Sequence, residues 1–81
     1  MSVLHRLKTW PEVFEATAAG LKTAEFRIND RNFQVGDSLM LQEYNPETCE
    51  YTGNHITMRI NHILYGNQFG IPSGYVVISI S

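Results

Sequence analysis

Gly20-Leu21-Lys22-Thr23-Ala24-Glu25-Phe26-Arg27-Ile28-Asn29-Asp30-Arg31 is where the chain changes its period. Upstream, the apolar residues recur at helical spacing. From Thr23 the side chains alternate, with Ala24, Phe26 and Ile28 on one face and Thr23, Glu25 and Arg27 on the other. Gly20 suits the left-handed residue that ends a helix. A helix therefore stops and a strand begins within one short segment.

Outward toward the N-terminus, Ser2–Lys8 alternates Val3, His5 and Leu7 against Leu4 and Arg6, which reads as a short strand. Thr9 and Glu12 have capping-box spacing, and Pro11 suits a first turn, so a helix is expected over Pro11–Ala19. A helix this short is marginal alone, so Trp10, Val13 and Phe14 must pack on something.

Toward the C-terminus, Asn29–Asn32 and Val35–Asp37 read as turns, and Ser38–Tyr44 as a strand. Asn45–Thr48 is a β-turn, and Thr52-Gly53-Asn54 continues the loop. His55–Leu64 is the longest strand, with Ile56, Met58, Ile60, His62 and Leu64 sharing a face. Gly66–Gly74 is a glycine-punctuated loop, and Tyr75–Ile80 the clearest strand. The plan is β-α-β-β-β-β. It points to a mostly β (α+β) fold, a small antiparallel β-barrel whose one helix, after the first strand, plugs or covers an end.

The chain has 81 residues, 43% hydrophobic and 17% charged, which suits a single domain over residues 1–81 with one modest core. A domain of this size buries only about 60–65% of its extended-chain surface. Cys49 is the sole cysteine, so no disulfide forms within the chain. No apolar run reaches the ~20 residues of a membrane helix, and the start lacks a signal peptide's apolar stretch. A cytoplasmic protein without a membrane partner is expected. The net charge of −2 argues against a broad electrostatic footprint on nucleic acid.

Lys22, Glu25, Arg27, Asp30 and Arg31 are five of the fourteen formal charges, crowded into ten positions. The ordinary reading of such a cluster is a solvated strand face whose ion pairs contribute about 0–1 kcal/mol each. The other reading is a cleft. If the first two strands are adjacent, Lys8, Trp10, Lys22, Glu25 and Arg27 line it, offering an aromatic face, cations for phosphate and a carboxylate for ring N–H groups. A tryptophan at a helix start more commonly lies in the core. His5, His55 and His62 have no metal-ligand spacing, so no metal and no cofactor are expected, and His5 reads as a hydrogen-bonded structural histidine. Cys49 stands beside Glu47 and Glu50, which do not favour a reactive thiolate. Tyr44, Tyr51, Tyr65 and Tyr75 read as core edges and cross-strand partners.

Together these residues resemble the ASCH domain of the PUA-like superfamily, and most closely a short bacterial and phage subfamily. The pattern opens with His5, Leu7, Lys8, Trp10 and Pro11. It continues through Gly20, Lys22, Thr23, Glu25, Arg27, Asn29, Asp30, Arg31, Phe33, Val35, Gly36 and Asp37. Glu43-Tyr44-Asn45-Pro46, Tyr51-Thr52-Gly53 and Gln68–Tyr75 extend it over essentially the whole chain. The resemblance implies a PUA-like barrel that binds RNA in the cleft beside the helix, at Lys22, Glu25 and Arg27 with Lys8 and Trp10 as neighbours. Some ASCH relatives are amidohydrolases that deacetylate acetylcytidine with a lysine-assisted threonine. Lys22 matches that lysine, but Glu25 stands where the threonine would be.

The leading expectation is an RNA- or nucleotide-binding module. A second is an amidohydrolase acting on an acylated nucleoside, with Lys22 and Glu25 as catalytic candidates. A third is a protein-interaction or phage accessory domain without a ligand. The oligomeric state is open, with a homodimer among the options.

Overall fold

A computed structural model describes residues 2–81 of the chain. Its elements are β1 (Leu4–Thr9), α1 (Pro11–Ala18), β2 (Ala24–Ile28), β3 (Ser38–Asn45), β4 (Glu50–Tyr65) and β5 (Tyr75–Ile80). The strands form one five-stranded sheet in the order β1-β3-β4-β5-β2. All neighbours are antiparallel except β1 and β3, which run parallel. The mostly β class with one helix after the first strand is as expected.

Chain order makes the sheet curl. β1 and β2 are its opposite edges, yet only α1 and a short link separate them in sequence. In a flat sheet, four strand spacings would hold the edges about 19 Å apart. Instead Arg27 Nη2 donates to the Lys8 carbonyl at 3.2 Å, and Arg31 Nη1 to the Arg6 carbonyl at 2.6 Å. Among the described residues no backbone hydrogen bond joins β1 to β2, so the sheet is curled but not closed. Arginine side chains bridge the seam.

The concave face holds the core. Leu7, Leu39, Leu41, Ile60, Ile63, Val76, Ile78 and Ile80 point inward from β1, β3, β4 and β5, and Phe33 enters from the link before β3. Phe14 of α1 packs against them. Asp37 anchors this end. It is 2% exposed and accepts from His5 Nε2 at 2.8 Å, from the Val3 N–H at 3.0 Å and from the Gln34 N–H at 3.1 Å. His5 is the buried, hydrogen-bonded structural histidine its strand position suggested.

Four local expectations need correction. The capping box does not form: Thr9 belongs to β1, and Trp10 is the N-cap with no side-chain cap bond. Thr52-Gly53-Asn54 is not loop but part of β4, at a bulge opposite Glu43. There Thr52 Oγ1 and Asn54 Nδ2 both donate to Glu43 Oε1, at 2.8 and 3.0 Å. A second bulge at Asn61 shifts the alternation of β4 by one, so Ile63 rather than His62 or Leu64 follows Ile60 into the core.

The fourth correction concerns β2. Its charged face is not solvated. Glu25 lies opposite Ile78 and Arg27 opposite Val76, and opposed residues share a face of the sheet. Glu25 is 5% exposed, whereas Phe26 on the outer face is 58% exposed and stacks on Tyr75.

The loop after β4 turns back through Gln68–Ile71, where Phe69 and Gly70 both have positive φ, 53° and 76°. This is the I′ geometry that favours Asn or Gly at both central positions. Phe69 is 78% exposed, so its ring gains little there. Phe69→Asn is expected to stabilise the fold by about 1 kcal/mol, raising Tm by roughly 4–8 °C in a thermal melt.

Candidate functional site

The seam between β1 and β2 opens into a cleft of about 650 Å³. That volume lies within the roughly 300–1,000 Å³ of pockets that hold one small ligand. All five residues singled out in the sequence, Lys8, Trp10, Lys22, Glu25 and Arg27, line it.

Each is positioned by its element. Alternation on β1 turns Leu7 inward, which leaves Lys8 on the opposite face. Its Nζ sits 4.1 Å from the centre of the Tyr44 ring, a cation–π contact worth about 0.5–1 kcal/mol at an exposed site. Trp10 follows at the start of α1, with Pro11 setting the first turn. It is 47% exposed, so it faces the cleft and surface rather than the core. The core is already filled from the sheet, and Trp10 leans on Tyr44 at 5.7 Å between ring centres. Tyr44 also meets Tyr51 edge-on at 5.1 Å, its partner across β3 and β4. Desolvation by burial pushes the Tyr44 phenol above its ordinary 10.0. The ring beneath Lys8 therefore stays neutral.

On the other wall, Gly20 adopts φ 77° and releases the chain from α1 toward β2. Lys22 then folds over the strand start, donating to the Ala24 carbonyl and to Glu25 Oε1, the latter at 3.0 Å. Arg27 Nε donates to Glu25 Oε2 at 3.4 Å. Each oxygen of the buried carboxylate thus holds one cation, and each cation is still about a third exposed toward the cleft. Glu25 acts here as an anchor that aims Lys22 and Arg27. It is not a free acceptor.

Two residues of the charge cluster, Asp30 and Arg31, also line the cleft, though sequence reasoning did not place them in it. Their signal was the charge density itself. Four of the six basic residues but only two of the eight acidic ones line the cleft. The cleft carries +2 and the rest of the chain −4. Tyr44, beneath Lys8 and Trp10, had no separate signal.

Among the described residues, no three His, Cys, Asp or Glu side chains gather where they could hold a metal ion. No helix there is long and apolar enough to cross a membrane. Cys49 is exposed at the β3–β4 turn, its Sγ 3.6 Å from the Pro46 carbonyl.

Comparison with known proteins adds the lineage. The chain is 35% identical over 63 residues to a protein of Escherichia phage P2 described as an uncharacterized 12.9 kDa protein in the GpA 3′ region. The match takes in 78% of this chain and 56% of that protein, so the chain spans little more than half the length of its relative. A family model described as a domain of unknown function, DUF3850, matches residues 4–80. With every element from β1 to β5 inside that match, the chain belongs to the DUF3850 family.

Proposed function

We propose that this chain is a cytoplasmic RNA- or nucleotide-binding module of ASCH, PUA-like type, which takes its ligand into the cleft between β1 and β2. The observation that carries the reading is the separation of charge: +2 in the cleft of a chain whose net charge is −2. A cation cluster held against a net negative background draws an anion to one place. The half-exposed Trp10, with Tyr44 and Lys8 behind it, offers a stacking face beside those cations. The PUA-like part of the reading treats the curled sheet as a barrel whose last seam is bridged by Arg27 and Arg31 in place of a strand ladder.

The geometry favours binding over amide hydrolysis. Both Glu25 oxygens are engaged by cations, which ill suits a proton carrier. Fully solvated Glu25 and Arg27 with no cleft near Trp10 would favour a ligand-free interaction domain; instead Glu25 is buried, Arg27 is half-buried and Trp10 lines the cleft.

Titration of the chain with RNA oligonucleotides and nucleotides, against a Lys22→Ala/Arg27→Ala variant, tests the proposal. Saturable binding that the variant loses supports it. Equal affinity of the two proteins would remove the cleft from the account.

A further inference from the structure

We infer that the cleft selects a terminal phosphate, a phosphate monoester at the end of a nucleotide or RNA strand, over an internal phosphodiester. The inference rests on the nucleotide-binding reading of the same cleft.

Charge is the first reason. A monoester carries about −1.5 to −2 near pH 7, so it gains more than a diester from the +2 summed over the residues that line the cleft, of which Lys22, Arg27 and Glu25 contribute +1. An internal diester carries a single negative charge.

Donor count is the second. An ammonium has three N–H groups and a guanidinium five. Lys22 spends two, on the Ala24 carbonyl and Glu25, and Arg27 spends two, on Glu25 and the Lys8 carbonyl. One donor remains on Lys22 and three on Arg27, in a pair held by one buried carboxylate. Such an array suits the three terminal oxygens of a monoester better than the two free oxygens of a diester.

Connectivity is the third. Arg27 and Arg31 cross the seam side by side to the carbonyls of Lys8 and Arg6. A strand running through the seam would have to break both bridges. A strand end entering beside Trp10 meets Lys22 and Arg27 and stops.

The test is calorimetric titration of the full chain with the four ribonucleoside 5′-monophosphates, the parent nucleosides and dinucleoside monophosphates lacking a terminal phosphate. A 5′-phosphorylated and an unphosphorylated tetranucleotide complete the set. The 5′-monophosphates are expected to bind at least tenfold more tightly than the nucleosides and the dinucleoside monophosphates. Tighter binding of the phosphorylated tetranucleotide than of the free monophosphates identifies an RNA end as the source, and the reverse a free nucleotide. If the diesters bind as tightly as the monoesters, and still depend on Lys22 and Arg27, the terminal-phosphate inference falls while the binding reading stands. If no probe binds saturably, both fall.

Discussion

Asp37→Ala is expected to cost about 3 kcal/mol of stability, measured by urea denaturation at pH 7. Asp37 ties the start of β1 to the turn before β3, accepting from His5 of β1, from the Val3 backbone just before β1 and from the Gln34 backbone in that turn. Its own carbonyl accepts from the Ile60 N–H of β4 at 2.9 Å. Removing the carboxylate leaves a buried imidazole and two backbone N–H groups without their acceptor. An 81-residue domain has roughly 4–12 kcal/mol in total, so the loss is a large share. Burial alone would raise the Asp37 pKa, but the hydrogen bonds from His5, Val3 and Gln34, with the attraction of His5, outweigh it and hold the value below 3.8. The folded state therefore binds its proton less readily than the unfolded state. The stabilisation is complete above about pH 4 and is lost as pH falls through the depressed folded value. The gap between wild type and Asp37→Ala should accordingly narrow below pH 4. Asp37→Asn separates charge from shape, because its amide oxygen can serve Val3 while its NH2 meets the Gln34 N–H donor to donor. It should recover only part of the loss. An unchanged urea midpoint for Asp37→Ala would show that Asp37 does not anchor the fold.

Much of the strand plan was legible because alternation is a local property. β1, β3 and β5 bury every second residue as their sequences indicate. The bulge at Asn61 was not legible. An extra residue in a ladder is a backbone event, and Ile60-Asn61-His62-Ile63 carries no glycine or proline to mark it. The sidedness of β2 was hidden for another reason. Alternation distinguishes two faces but does not say which turns inward. Hydropathy favours burying Phe26 and Ile28. Pairing with β5 fixes the opposite choice, because Val76 and Ile78 already point into the core and carry Arg27 and Glu25 with them.

That inversion explains how the site could be named from the sequence while its chemistry was read differently. Lys8, Trp10, Lys22, Glu25 and Arg27 do converge, since the short α1 link forces the two edge strands together. Spacing left two options open, Glu25 held by Arg27 or Glu25 as an acceptor for a base. Only the distances reveal that its oxygens are occupied. The open seam was equally invisible. A strand pattern does not disclose whether the last edge closes by backbone ladder or by two arginines.

Removing those cations has the other large expected effect. Charge-assisted hydrogen bonds contribute about 1.5–3 kcal/mol each. Lys22→Ala/Arg27→Ala removes at least two toward a bound phosphate, so affinity should fall at least a hundredfold, or about 3 kcal/mol. The double variant also strands Glu25 as a buried carboxylate without a cation, so some loss of stability accompanies it. Circular dichroism with a melt separates the two effects. Glu25→Gln is the sharper probe. It raises the cleft charge from +2 to +3, and attraction alone predicts tighter binding of a nucleotide. Positioning predicts the reverse: glutamine offers one acceptor where two cations need one each, and its NH2 faces the other cation. We expect the glutamine variant to stay folded and to bind about tenfold more weakly despite its extra positive charge. Tighter binding would mean that Lys22 and Arg27 act as a diffuse field, and that the buried carboxylate does not aim them.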